Sequence, residues 1–494
     1  MLDKARGIYR GRLGSYVATV GPRVLALLLG LLVAACMTPP KVSPVEKPVD
    51  HRVDLGLVAA VQPSRDAWWR AYQDRQLDRL VEQALAGNPT LAEAVARLRR
   101  AQAVADATSA QRWPSISYGA SAQREKISGK AAVPGQYQGA SAWLSSELVN
   151  FSWALDFWGR QASLLRQARS GADAVALDAA AARLAIVDAL VRTYIDLERS
   201  YELADVARRE EQQRQQILDI TRRRVLAGLD TNVELKQAAG AVPQARVESS
   251  ADQAAIDRDV HLLAALAGQG AGEYGQIRRP TLHEQTVLAL PTALPIDLLS
   301  RRPDVLAARS RISAAQAGLA AAKTDFYPNI NLLAFGGTIA AGRFANLFQG
   351  QAASYGVGPA LDLPLFDAGR RRANYRANVA AIDAAVTAYN QTVLAAVQQT
   401  ADQLTNIKSL EVSLTQQQQS LDDAQSAFRL AVERYKAGLT TYLTVLATET
   451  QVFDAERQEV TLESARASAR VNLLTDVGGD FRPDSPAVAV NADR

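Results

Sequence analysis

Read for the spacing of apolar and polar positions, the chain runs twice through one order of parts: a short helix, a pair of alternating strands, and a very long helical hairpin. From Leu77 to Ala103 the residues Leu77, Leu80, Val81, Ala84, Leu91, Ala94, Leu98 and Ala101 recur at helical spacing, interrupted at Gly87-Asn88-Pro89. Asp304 to Lys323 is the counterpart in the second copy. Strands follow. Val149, Phe151, Trp153 and Leu155 alternate with Asn150, Ser152, Ala154 and Asp156, and Tyr355, Val357, Pro359, Leu361 and Leu363 alternate with Ser354, Gly356, Gly358, Ala360 and Asp362. A period of two with one apolar face and one small or polar face predicts half-buried strands. Weaker partner strands are expected around Ile116 to Gln123 and Ile330 to Thr338. Four strands cannot close a barrel, which takes about eight, so the sheet is either buried elsewhere or shared between chains.

The helices are the more unusual part. Residues 172 to 227 and 370 to 437 contain neither Gly nor Pro, so as helices they reach roughly 85 and 100 Å, too long for the inside of a globular domain. Ile407, Leu410, Leu414, Leu421, Ala424, Phe428, Ala431 and Tyr435 hold a heptad spacing with Gln417 in its one polar slot, and Leu190, Tyr194, Leu197, Tyr201 and Ala204 do likewise earlier. These are coiled-coil seams. Each long helix stops at Ala-Gly-Leu, at 227 to 229 and 437 to 439, where Gly supplies the left-handed turn into a return helix. Pro243 is expected to kink or interrupt the first return helix.

The two copies align residue by residue. Pro89, Arg97, Ala101, Gln102, Pro114 and Ile116 return as Pro303, Arg311, Ala315, Gln316, Pro328 and Ile330, a constant offset of 214. Gly159-Arg160 returns as Gly369-Arg370, and Arg224, Ala227, Gly228, Leu229 and Thr231 return as Arg434, Ala437, Gly438, Leu439 and Thr441, at an offset of 210. Two copies make a duplicated domain rather than a solenoid. The resulting organisation is a leader over 1–35, an extended leash over 36–66, a first repeat over 67–279, a second over 280–479 and a tail over 480–494. Strands are expected over about 115–156 and 329–366, hairpins over about 160–267 and 369–477.

The N-terminus sets the compartment. Lys4, Arg6, Arg10, Arg12 and Arg23 precede an apolar run from Val24 to Val33, too short to span a bilayer but suited to a signal-peptide core. It ends in Val33-Ala34-Ala35-Cys36, which resembles a bacterial lipobox, and Cys36 is the only cysteine. Lipidation at Cys36 is the expectation; the alternative is ordinary cleavage after Ala35 with an incidental cysteine, an unpaired thiol that an oxidising compartment disfavours. Met37 rather than Asp after the cysteine favours outer-membrane sorting. The leader's five basic residues and Asp3 account for the whole formal charge of +4, so the mature chain is neutral. Its high pI therefore implies no nucleic-acid partner. His51, His261 and His283 show no ligand spacing, and there is no phosphate loop, nucleophile elbow or CxxC. The expectation is no enzyme, no cofactor and no metal.

The runs WWRAYQDRQLDRLVEQALAGNPTLAEAVARLRRAQA, SWALDFWGR, RRPDVLAARSRISAAQAGLAAAKTDFYPNINL, GPALDLPLFDAGRRRA and ERYKAGLTTYLTVL, covering essentially the whole mature chain in order, resemble the TolC/OprM outer-membrane factors, in the lipoprotein (NodT-like) branch. The resemblance implies an α+β membrane protein: a homotrimer in which four strands per chain join a shared barrel of about twelve, while coiled-coil hairpins form an α-barrel across the periplasm. An equatorial region, around Gly268 to Pro295 and after Gly479, belts the tube. It implies the outer-membrane channel of a tripartite efflux system, anchored in outer-membrane lipid. Its partners are a periplasmic adaptor and an inner-membrane pump of the RND type. Two other readings stay open: an exit duct for type I protein secretion, and a lipid-anchored periplasmic scaffold without a pore.

The resemblance also implies a periplasmic aperture. The turns at Gly228 and Gly438 match the tip that closes the tube and meets the adaptor. Leu443 matches a leucine constriction, read as a hydrophobic gate that resists wetting, although Leu443 and Leu446 also suit an ordinary coiled-coil core. Aspartates of relatives are replaced by Thr444 and Ala447, leaving Glu234, with Asp230 nearby, as the acidic candidate. Closure is expected to depend on polar links between Thr440, Thr444 and the turn from Asp230 to Glu234, with Leu443 packing.

Overall fold

The computed structural model describes residues 39–48, 67–130, 135, 138–282, 301–479 and 481. Cys36, the leader, most of the leash, part of the equatorial segment and nearly all of the tail lie outside the described residues. The chain divides into two compact units, one with the described residues of 39–47, 100–173 and 310–387, the other with the described residues of 48, 67–99, 174–282, 301–309, 388–479 and 481.

The first unit is built on one antiparallel sheet of β1 (Ser115–Lys126), β2 (Ser141–Leu155), β3 (Asn329–Gly342) and β4 (Ala353–Asp362), hydrogen-bonded in chain order. Residues directly opposite one another share a face. Tyr118 opposite Val149, Val149 opposite Gly336, and Gly336 opposite Tyr355 therefore place the aromatic and branched residues on one side. Ser117 opposite Asn150 and Ser121 opposite Ser146 lie on the other. β3 departs from the expected alternation, because Leu333, Phe335 and Ile339 stand on this second, mostly polar face. Among the described residues, β1 and β4 are each paired on one side only.

Below the strands, Trp158 stacks on Tyr327 at 5.0 Å and donates its indole N–H to the Pro328 carbonyl at 2.8 Å. Arg371 binds the Asp367 carboxylate at 2.7 Å beside the Phe326 ring. The described part of the leash has no regular structure, and its Val45 and Glu46 amides donate to Asp383 at 2.8 and 3.0 Å.

Helices repeat as the sequence repeats. After α1 (Arg75–Gly87) come α2 (Pro89–Ala110) and its copy α5 (Pro303–Thr324), each 22 residues. The long helices α3 (Arg160–Leu226) and α6 (Arg370–Lys436) have 67 residues apiece, a contour of about 100 Å. Their return partners α4 (Asn232–Leu266) and α7 (Tyr442–Asp476) have 35 each. α3 starts at Arg160, where the first hairpin is expected to begin, and Gly171 sits inside it. α4 likewise runs through Pro243 without a break, at the cost of one hydrogen bond to the Ala239 carbonyl.

The second unit has its main core where α1 meets the seam of α3. Trp68, Trp69 and Tyr72 of a preceding 3-10 turn bury against Leu77, Leu80 and Val81, with Leu190, Tyr194 and Leu197 of α3, Leu263 of α4 and Val471 of α7. Asp74 caps α1, accepting from the Gln76 amide at 2.8 Å, and also takes the Tyr194 hydroxyl at 2.7 Å and the Thr281 amide at 2.8 Å. Those donors hold its carboxyl below the usual range although burial pushes it up. Farther along, the predicted seam of α6 packs on α7: Ile407 against Leu473, and Leu421 against Val452 and Ala455. Gln417, its polar slot, donates to the Ala455 carbonyl at 2.9 Å.

Candidate functional site: the paired hairpin tips

Both hairpins turn in the same way because the same three residues make both turns. Gly228 and Gly438 adopt φ of 69° and 76°, the left-handed region that costs a side chain about 1–2 kcal/mol. Leu229 donates to the Arg224 carbonyl at 2.9 Å and Leu439 to the Arg434 carbonyl at 2.8 Å, closing each helix with the same loop. Beneath the turns a single apolar cluster joins all four helices: Ile217 and Leu218 of α3, Ala238 and Val242 of α4, Ala431 and Tyr435 of α6, and Tyr442 and Val445 of α7.

The polar chemistry differs between the tips. Asp230 receives the Arg224 guanidinium at 2.8 and 3.2 Å and the Tyr435 hydroxyl at 2.5 Å. The Arg224 guanidinium also lies 4.5 Å over the Tyr435 ring. Tyr435 meets Thr221 at 3.1 Å. The Arg224 hydrogen bonds hold Asp230 below the usual carboxylate range, and burial followed by Asp230 as acceptor pushes Tyr435 up to about 12. One carboxylate of the first hairpin thus holds a hydroxyl of the second.

Within one chain the link between the turns runs through Asp230 and Tyr435. Thr440 donates to Thr444 at 3.0 Å, and Thr441 lies 3.4 Å from Thr444, so these hydroxyls serve one another. Glu234 closes a capping box with Thr231, whose side chain accepts from the Val233 amide at 3.1 Å, and is held in its own turn. Thr441, the equivalent cap in the second copy, makes no side-chain cap bond.

Leu443 is not core. It is 58% exposed, and its repeat equivalent Val233 is 62% exposed, whereas Leu446 packs on the apolar cluster. Ala447 follows on the same helix, so the tip combines bare aliphatic side chains with a carboxylate already neutralised by Arg224. Three participants were not legible as such beforehand. By sequence Tyr435 belongs to the seam, Arg224 stands out only as a residue repeated at Arg434, and Val233 not at all; the copy-to-copy changes Val225 to Tyr435 and Asp230 to Thr440 are the available signal.

A four-stranded sheet with an apolar face and two open edges, continuing into helical hairpins about 100 Å in contour, defines a channel subunit that is completed only by copies of itself. The family described as outer membrane efflux protein matches residues 80–269 and 294–479, and the chain belongs to it. It is 36% identical to the fusaric acid resistance protein FusA of Burkholderia cepacia over 72% of this chain and 69% of that protein. It is 31% identical to the pyoverdine export outer membrane protein OpmQ of Pseudomonas aeruginosa, over 85% and 89%. Among solved structures, the outer membrane protein VceC of Vibrio cholerae superposes with a TM-score of 0.79 at 32% identity, over 85% of this chain and all of that one.

The fold is that of the TolC-type channels, in which three chains pool their four-stranded sheets into one barrel and their hairpins into one tube. The protein is the outer-membrane component of a tripartite efflux system, a transport part with its place in the outer membrane.

Proposed function

We propose that this chain is the exit duct for small organic molecules delivered by an RND-type inner-membrane pump through a periplasmic adaptor, and that the paired tips are its gate. The observation that carries the gate is the tip itself: Leu443 stands bare beside a turn latched to its neighbour through Asp230 and Tyr435. Three copies of Leu443 and Val233 make a narrow apolar ring, which sheds water and stops ions without a plug. The Asp230, Arg224 and Tyr435 knot keeps the second hairpin against the first, and opening requires that knot to break. The turns at Gly228 and Gly438 present Leu229 and Leu439 as exposed contacts for the adaptor. Cys36 carries the lipid that fastens the leash to the membrane. Small-molecule cargo is supported by the relatives named for fusaric acid resistance and pyoverdine export.

The test is single-channel recording of purified trimer in planar bilayers. Wild type is expected to be mostly closed and Leu443→Ala to leak severalfold more; a variant no leakier than wild type defeats the gate.

A further inference from the structure

About three turns behind the first tip, three charged side chains are sealed between hairpins with too few partners. Glu210 and Arg214 lie one turn apart on α3 and Glu449 lies on α7, with exposures of 3%, 9% and 2%. Arg214 is ion-paired with Glu210, its Nε stands 3.8 Å from Glu449, and its Nη1 donates to the Ala241 carbonyl at 3.0 Å. One guanidinium thus faces two carboxylates. Among the described residues, Glu449 Oε1 and Arg214 Nε have no hydrogen-bond partner, and Glu210 meets another carboxyl, that of Glu248 on α4.

The surroundings do not correct the balance. Glu248 and Asp252 of α4 face the cluster, and Arg457 of α7 is committed to both of them at 3.3 Å. Tyr442 of α7 adds a hydroxyl, not a cation. Arg209–Glu456 and Arg246–Glu211 are pairs complete in themselves on the flanks. An unmatched buried carboxylate is more costly than a protonated one, so such a site takes up a proton. Burial, offset only in part by Arg214, pushes Glu210 and Glu449 up to about 7.

We propose that Glu210, Arg214 and Glu449 form a proton-binding pin between the two hairpins, which fastens α7 to α3 when loaded and loosens it when empty. The inference rests on the reading of the tips as the moving gate. In the packed arrangement the glutamates keep a proton up to about 7, whereas a hairpin swung into water returns them to the ordinary value of 4.5. Between those limits the packed form binds more protons, so rising pH favours opening by up to about tenfold per pH unit per carboxyl. Below the lower limit both forms are protonated, above the upper both are ionised, and the slope vanishes.

Glu449→Gln leaves Arg214 with Glu210 alone and removes one of the two titrating carboxyls. Trimers of wild type, Glu449→Gln and Leu443→Ala, each confirmed by native mass, are recorded in planar bilayers across that window and above it. Wild-type open probability is expected to rise with pH and then level off, and Glu449→Gln to stay lower with a clearly shallower slope. A wild type without slope, or a Glu449→Gln channel that keeps the wild-type slope, overturns the pin. Leu443→Ala separates the two readings. If it leaks while wild type shows no slope, the gate stands and the pin falls. If it leaks no more than wild type while the slope is present and reduced in Glu449→Gln, the pin and the moving hairpins stand and the Leu443 ring falls.

Discussion

The two hairpin tips share a backbone and differ in chemistry, and the difference separates what the duplication preserved from what function altered. Gly228 and Gly438 make the same left-handed turn, and the leucines after them close the same loop. At the positions that follow, Asp230 and Glu234 face Thr440 and Thr444 across the repeat. The first tip consequently carries an ion pair and a capping box, and the second carries hydroxyls that bond one another. A turn tolerates little change because φ above zero restricts its residues, whereas the side chains beside it are free to diverge.

Four measurements would break or sharpen this contrast, each read as amide hydrogen exchange of the two turn segments. Asp230→Ala strands Arg224 and the Tyr435 hydroxyl, and is expected to loosen both turns by about 2–3 kcal/mol, while Thr440→Ala stays within about 0.5 kcal/mol of wild type. Equal effects would mean that the latch is not in the first copy. Gly228→Ala and Gly438→Ala should each cost about 1–2 kcal/mol, and alike; a large inequality would show that the turns are not energetically equivalent.

Thr231→Ala is expected to cost about 1 kcal/mol and Thr441→Ala almost nothing, because only the first threonine caps its helix. Acid gives the mildest test. Asp230 is held below its ordinary value, so its contribution is complete above 3.8 and is lost as pH falls through the depressed value. Exchange should quicken in the Asp230–Tyr435 contact in strong acid, while the Thr440–Thr444 contact is unaffected.

Much of the architecture was legible because it is written in periods. Alternation placed the strands, heptads placed the seam from Ile407 to Tyr435, and the turn motif placed both tips. One breaker did not interrupt: Pro243 is absorbed inside a helix whose packing outweighs a local penalty of about 3 kcal/mol. The partners of the site were hidden for another reason. Tyr435 reaches Asp230 from 205 residues away, and its ring satisfies the heptad as well as any core residue. Arg214, Glu210 and Glu449 were similarly masked, since isolated charges along a helix read as solvated until the neighbouring hairpin covers them.

The open edges of β1 and β4 bear on how the channel is made. In hydrocarbon a lone sheet would hold two rows of amides and carbonyls with no water to meet them, so insertion cannot run ahead of assembly. Chains must find one another while still at the membrane surface, and the rate of productive insertion should climb more steeply than linearly with chain concentration. Dilution, rather than heat, is then the gentlest way to arrest this protein halfway.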